Sequence, residues 1–136
     1  MKAIIIAMVS EIKIENLFVI KKETFSHHVL YYLKNDYVLI FSGIGKVNAA
    51  NAITVLSEKF KNELEMVLNL GTVGTKQSHY HPLQTFFINH FQYLDVNVTA
   101  FNYEINQVPK EKKLFSFETN PTILKILEPL QEKTWV

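Results

Sequence analysis

The stretch "FSGIGKVNAANA" at residues 41–52 sets Gly43 and Gly45 one residue apart, where an apolar run ends and a helical pattern begins. Glycines at such a junction let a backbone come close to a ligand. A dinucleotide-binding turn would need a third glycine where Asn48 stands. It would also need an acid at the end of the next strand, and Glu65 lies before that strand. A Walker loop is excluded, because no GxxxxGK[ST] string occurs. Taken alone, the glycine pair is best explained as a tight strand-to-helix turn with no ligand.

Glu11 is the carboxylate placed to matter most, directly after the apolar run "AIIIAMV" and near a helix start. On position alone it reads as a solvated first-turn acid favoured by the helix dipole. The histidines are His27, His28, His79, His81 and His90. "HYH" offers two metal ligands, but no third is placed and there is no cysteine, so surface or sheet-edge histidines are expected and no metal is implied. Most aromatics read as core; Phe101 and Tyr103 stand apart because they follow a polar, turn-like stretch.

All 14 basic residues are lysine, which removes every bidentate arginine fork for phosphate or carboxylate. With 13 acids the net charge is +1, so neither a nucleic-acid footprint nor a polybasic membrane patch is present. The absence of cysteine excludes disulfides and thiol nucleophiles and fits a cytoplasmic protein. The N-terminal apolar run is too short to span a bilayer and is followed at once by Glu11 and Lys13, so a buried first strand is expected instead of a signal peptide. At 136 residues and 48 % apolar composition the chain predicts a single folded domain over 1–136.

The elements that must position these residues follow from periodicity. Residues 2–8 read as a strand buried on both faces, and 11–21 as a short helix. "HHVLYYL", the turn "KND" and "YVLIFS" read as a hairpin. Residues 46–60 carry Ala49, Ile53, Leu56 and Phe60 at helical spacing, with Ala52 and Val55 beside them. "MVLNL" at 66–70 is another buried strand, 84–90 and 91–96 read as strands, "NQVPKEKK" as an exposed loop, and 122–133 as a last helix that Pro129 kinks or ends. The alternation predicts an α/β fold with a mostly parallel sheet, whose ligands sit outside the carboxyl ends of the strands. "MVSE", "SGIGK" and "GTVGT" all fall at such ends, so three strand ends converge on one edge.

"AMVSE", "SGIGKVNAANAITVLSEKF", "VLNLGTVGT" and "VTAFNYEINQVP" occur in this order. Together they resemble the amino-terminal part of methylthioadenosine/S-adenosylhomocysteine nucleosidases, of the purine nucleoside phosphorylase superfamily. The resemblance runs from residue 1 to at least residue 117. It implies a three-layer α/β/α sandwich around a mixed, mostly parallel sheet, incomplete at the C-terminus of this chain, and a homodimer. It implies hydrolysis of the N-glycosidic bond of a 5′-thio-substituted adenine nucleoside, releasing adenine for methionine salvage without metal or organic cofactor. Glu11 matches the acid that orients and activates the attacking water. Met8, Ile44 and Thr72 match positions around the ribose, with threonine where the family usually has serine. Phe101 and Pro109 match positions that reach across the dimer to cover the partner's 5′-substituent.

The resemblance also separates hydrolase from phosphorylase. Related phosphorylases hold phosphate with arginines, one of them where Asn69 stands. Several features depart from the family pattern. "GTVGT" replaces a string richer in glycine and serine, "PLQ" stands for "VGD", and Asn97 replaces the acid before "VTAF". The aspartate that protonates adenine, the glutamate that holds the ribose hydroxyls and the segment that reads the base have no match in residues 1–136. A truncated, non-catalytic remnant of such an enzyme, or a related purine nucleoside hydrolase or phosphorylase, is therefore the alternative expectation.

Overall fold

The computed structural model describes residues 1–76, 80–86, 88, 90–113 and 115–116. The chain separates into two compact units, Met1–Gly74 and Thr75–Val136.

The first unit is a five-stranded mixed sheet with one helix. β1 (Lys2–Ile6), β2 (Val19–Phe25), β3 (His28–Leu33), β4 (Tyr37–Phe41) and β5 (Met66–Leu70) lie in the order β2-β3-β4-β1-β5. β1 pairs in parallel with β4 on one side and β5 on the other, with Ile6 opposite both Phe41 and Leu70. β2, β3 and β4 form an antiparallel meander. The β3–β4 turn works because Asn35 and Asp36 take φ of 62° and 60°, a region that short polar side chains tolerate.

Helix α1 (Lys46–Phe60) covers one face of the sheet. It begins at Gly45, whose φ of 103° only glycine adopts readily. Ala52, Val55, Leu56 and Phe60 are buried against Ala3, Ile5, Leu30, Val38 and Ile40. Each large side chain so buried is worth about 1.5–3 kcal/mol. The buried stripe is rotated from the expected one: Ile53 is 41 % exposed and Val55 takes its place. Ile6 and Leu39 are also buried, although neither belongs to the cluster under α1.

A polar tie links the helix end to the hairpin. Lys59 Nζ pairs with Glu23 Oε1 and lies 4.6 Å from the Phe25 ring centroid. Glu23 Oε2 accepts from Lys21 Nζ at 2.9 Å and from the Tyr32 hydroxyl at 3.1 Å. The Tyr32 ring meets Phe60 edge-on at 6.3 Å.

Three expectations are corrected. Residues 11–21 form no helix; two one-turn 3-10 segments, Val9–Glu11 and Ile14–Asn16, lead straight into β2. Pairing with β3 draws Val19–Phe25 into the sheet, so that Glu23 and Phe25 turn partly inward while Lys22 and Thr24 stay exposed. The first strand is two residues shorter than expected, releasing Ala7 and Met8 into a turn. In the second unit the strands expected over 84–90 and 91–96 are confined among the described residues to β6 (His90–Phe91), which pairs antiparallel with β7 (Phe115–Ser116). The expected helix over 122–133 lies outside the described residues.

The second unit also holds a 3-10 turn, Thr99–Phe101. Asn97 Oδ1 accepts from the Thr99 hydroxyl at 3.0 Å and from its N–H at 3.4 Å, so asparagine supplies the acceptor there. The loop "NQVPKEKK" is exposed at most positions, as expected, and is tied internally. Gln107 Nε2 donates to Glu111 O at 2.9 Å, and Lys113 pairs with Glu104.

Candidate active site

Parallel pairing on both sides of β1 brings the carboxyl ends of β4, β1 and β5 to one edge of the sheet. The segments leaving that edge are Ala7–Glu11, Ser42–Gly45 and Gly71–Thr72, which is the convergence expected from the sequence. Backbone bonds extend the pairing past the strands: Ser42 N donates to Ile6 O at 2.9 Å, and Gly43 N to Ala7 O at 3.1 Å.

Glu11 ends the one-turn segment after β1. Its Oε2 accepts from the Met8 N–H at 3.1 Å. Its Oε1 reaches across the edge to Thr72, 61 residues away, and accepts from both the Thr72 N–H and the Thr72 hydroxyl at 2.8 Å. A merely solvated first-turn acid would make no such long-range bonds. The Thr72 N–H first, then its hydroxyl and the Met8 N–H, hold the Glu11 carboxyl below its ordinary value of 4.5. Glu11 is therefore a fixed carboxylate, ionised at neutral pH.

Ile44 sits at the tip of the glycine turn with its side chain 70 % exposed at the same edge. Asn48 Nδ2, one turn into α1, donates to the Ile44 carbonyl at 2.7 Å and braces that turn. The structure thus brings Glu11, Met8 and Thr72 into direct contact and sets Ile44 on a neighbouring strand end. Phe101 and Pro109 belong to the second unit, where both are exposed; Phe101 closes the 3-10 turn with its ring 73 % exposed. Asn48 was not singled out from the sequence as part of this edge, and Gly71 was placed there only within the string "GTVGT", with no role of its own. The signal available for Gly71 was a glycine directly after a buried strand.

Among the described residues no group of three or more His, Cys, Asp or Glu side chains converges as metal ligands would. His28 Nδ1 lies 3.3 Å from the Phe41 carbonyl, and His79 lies outside the described residues. No helix among the described residues is long and apolar enough to cross a membrane.

Solved structures share this architecture. The S-adenosylhomocysteine nucleosidase of Streptococcus pyogenes, in complex with 5-methylthiotubericidin, matches 98 % of this chain and 58 % of its own at a TM-score of 0.73 and 26 % identity. The methylthioadenosine/S-adenosylhomocysteine nucleosidase of Colwellia psychrerythraea, in complex with adenine, matches 97 % of this chain and 57 % of its own at 0.75 and 28 %. The fold and the strand-end edge thus define an α/β protein of the nucleoside phosphorylase-like class.

No family model matches the chain. Curated sequences do. A methylthioadenosine/S-adenosylhomocysteine nucleosidase from Staphylococcus epidermidis is 40 % identical over 102 residues, 72 % of this chain and 43 % of the relative. One from Staphylococcus aureus is 36 % identical over 110 residues, 78 % of this chain and 47 % of the relative. The chain belongs to the methylthioadenosine/S-adenosylhomocysteine nucleosidase family and spans less than half the length of these curated relatives.

Proposed function

We propose that this chain forms the water-activating part of a nucleosidase that hydrolyses the N-glycosidic bond of 5′-methylthioadenosine and S-adenosylhomocysteine and releases adenine. The observation that carries this is the Glu11 carboxylate, fixed by Thr72 and Met8 at the carboxyl ends of three adjacent parallel strands.

Cleavage of a ribosyl C–N bond develops positive charge on the sugar, as in glycoside hydrolysis. A carboxylate held ionised beside that sugar stabilises the charge and orients a water molecule. The water oxygen bonds to the anomeric carbon, its proton passes to Glu11, and the C–N electron pair leaves with adenine. Adenine must then gain a proton from an acid that has no match in residues 1–136. Met8, Ile44 and Thr72 line the ribose in this proposal. Phe101 and Pro109 cover the thio-substituent of the partner subunit in a homodimer, within one nucleoside phosphorylase-like domain. A cytoplasmic role in methionine salvage completes the proposal. The lack of arginine, with Asn69 where phosphorylases carry one, favours water over phosphate as the acceptor.

The test uses two substrates. Methylthioadenosine reports the full reaction as adenine release. A nitrophenyl 5-methylthioriboside has a leaving group that needs no proton and isolates the part played by Glu11. We expect Glu11→Ala to slow the nitrophenyl reaction by about 10²–10⁴-fold, the usual worth of a positioned base. Hydrolysis of both compounds at the same rate in wild type and Glu11→Ala overturns the proposal.

A further inference from the structure

The chain has four glycines, and the structure gives them different reasons to be there. Gly43 and Gly45 take φ of +85° and +103°, conformations that other residues rarely adopt. Gly71 has no such backbone requirement; it lies outside the left-handed region. What a side chain would meet there is Glu11. A Cβ on Gly71 would lie 3.1 Å from Glu11 Oε1 and 3.6 Å from both Cδ and Oε2. Apart from the adjoining Leu70 and Thr72, these are the three nearest atoms, and all belong to the carboxylate. Gly74, three residues on, has open space around its would-be Cβ.

We infer that Gly71 is a positioning residue for Glu11. Its bare Cα is the floor on which the carboxylate rests, so that one oxygen can take both the Thr72 N–H and the Thr72 hydroxyl. Oε1 is fixed from two sides: two donors pull it towards Thr72, and the Gly71 backbone sets how closely it can approach. A methyl group at 71 would press on the oxygen that carries both Thr72 bonds. The carboxylate would have to lift, lengthening the bonds that keep it ionised and aimed. The functional meaning of the inference rests on Glu11 being the water-activating group, whereas the geometry does not.

The test is therefore built on readouts that need no substrate. Gly71→Ala is compared with wild type by following the Glu11 carboxyl carbon through a pH titration by NMR. Its midpoint is expected to rise towards 4.5 as the Thr72 bonds lengthen. An unchanged midpoint overturns the inference. Thermal melting of Gly71→Ala in the Glu11→Ala background supplies the second arm. With the carboxylate gone, alanine at 71 should leave Tm unchanged or raise it, because it restricts the unfolded chain. If Gly71→Ala does not fold, this arm decides: a folded double variant supports the inference, and an unfolded one overturns it. A shifted midpoint without Glu11-dependent hydrolysis of either substrate would uphold the role of Gly71 while refuting the proposed reaction.

Discussion

Glu11 spends one oxygen on Thr72 and the other on Met8, and this division decides what kind of catalyst it can be. A carboxyl held below 4.5 by donated hydrogen bonds is a weak proton acceptor but a strong, fixed negative charge. In the proposed reaction its first contribution is electrostatic, to a sugar turning cationic, and its second is to orient water, whose proton it takes only as the new C–O bond forms. Of the two Thr72 donors, only the hydroxyl can be removed by mutation. Thr72→Val should therefore raise the Glu11 midpoint part of the way towards 4.5, since the backbone N–H remains, and Thr72→Ser should leave it low. Carboxyl NMR titration of both variants measures this; equal midpoints in Val and Ser would show that the hydroxyl bond carries no weight. On sequence position alone Glu11 was indistinguishable from a solvated acid, and the resemblance singled it out. Gly71 stayed hidden because its neighbour in space lies far along the chain, and no local pattern encodes that proximity.

At the scale of elements, α1 and β5 were legible to the residue, and β2 was not. Helix α1 has a glycine start and apolar residues four apart, so propensity and burial agree. β2 carries Lys21, Lys22 and Glu23 in its middle, and no apolar alternation marks it as a strand. Its conformation comes from β3, and its inward charge is met by Lys59 at the far end of α1, with Lys21 and the Tyr32 hydroxyl on the other carboxylate oxygen. That tie makes a prediction about acid. The Lys59 ammonium, with Lys21 beside it, holds the Glu23 carboxyl at about 2 against an ordinary 4.5. A carboxyl lowered on folding stabilises the protein fully above about 4.5 and loses that contribution as pH falls towards 2. Glu23→Gln should therefore melt below wild type at pH 7, with the gap in Tm closing between pH 4.5 and 2. A gap independent of pH would mean that the side chain matters for packing and not for charge.

For the molecule as a whole, the proposed dimer divides each site between two chains: Glu11 from one and Phe101 from the other. A mixture of Glu11→Ala and Phe101→Ala chains, refolded together, should then recover hydrolysis that neither has alone. One of the two sites in a mixed pair has both residues intact. Recovery no greater than the average of the two parents would place both residues in the same chain's site. The sheet order was only partly legible. Three strand ends were expected at one edge, and parallel pairing puts them there. That β1 lies between β4 and β5 could not be read from periodicity, which says which residues are inside but not which strand is the neighbour.

The position of β1 has a consequence for the order in which this protein comes into being. Of the five strands of this sheet β1 is made first, yet it pairs on both sides, and its second partner, β5, begins only at Met66. Until that segment has been synthesised and docked, Glu11 has no Thr72 to hold it, since 61 residues separate them. Ring closure over such a span is entropically slow compared with forming the β2–β3–β4 meander. A ribosome-bound chain stalled before Gly71 would carry a folded hairpin and an exposed strand edge, and the Glu11 carboxylate would still be loose in water.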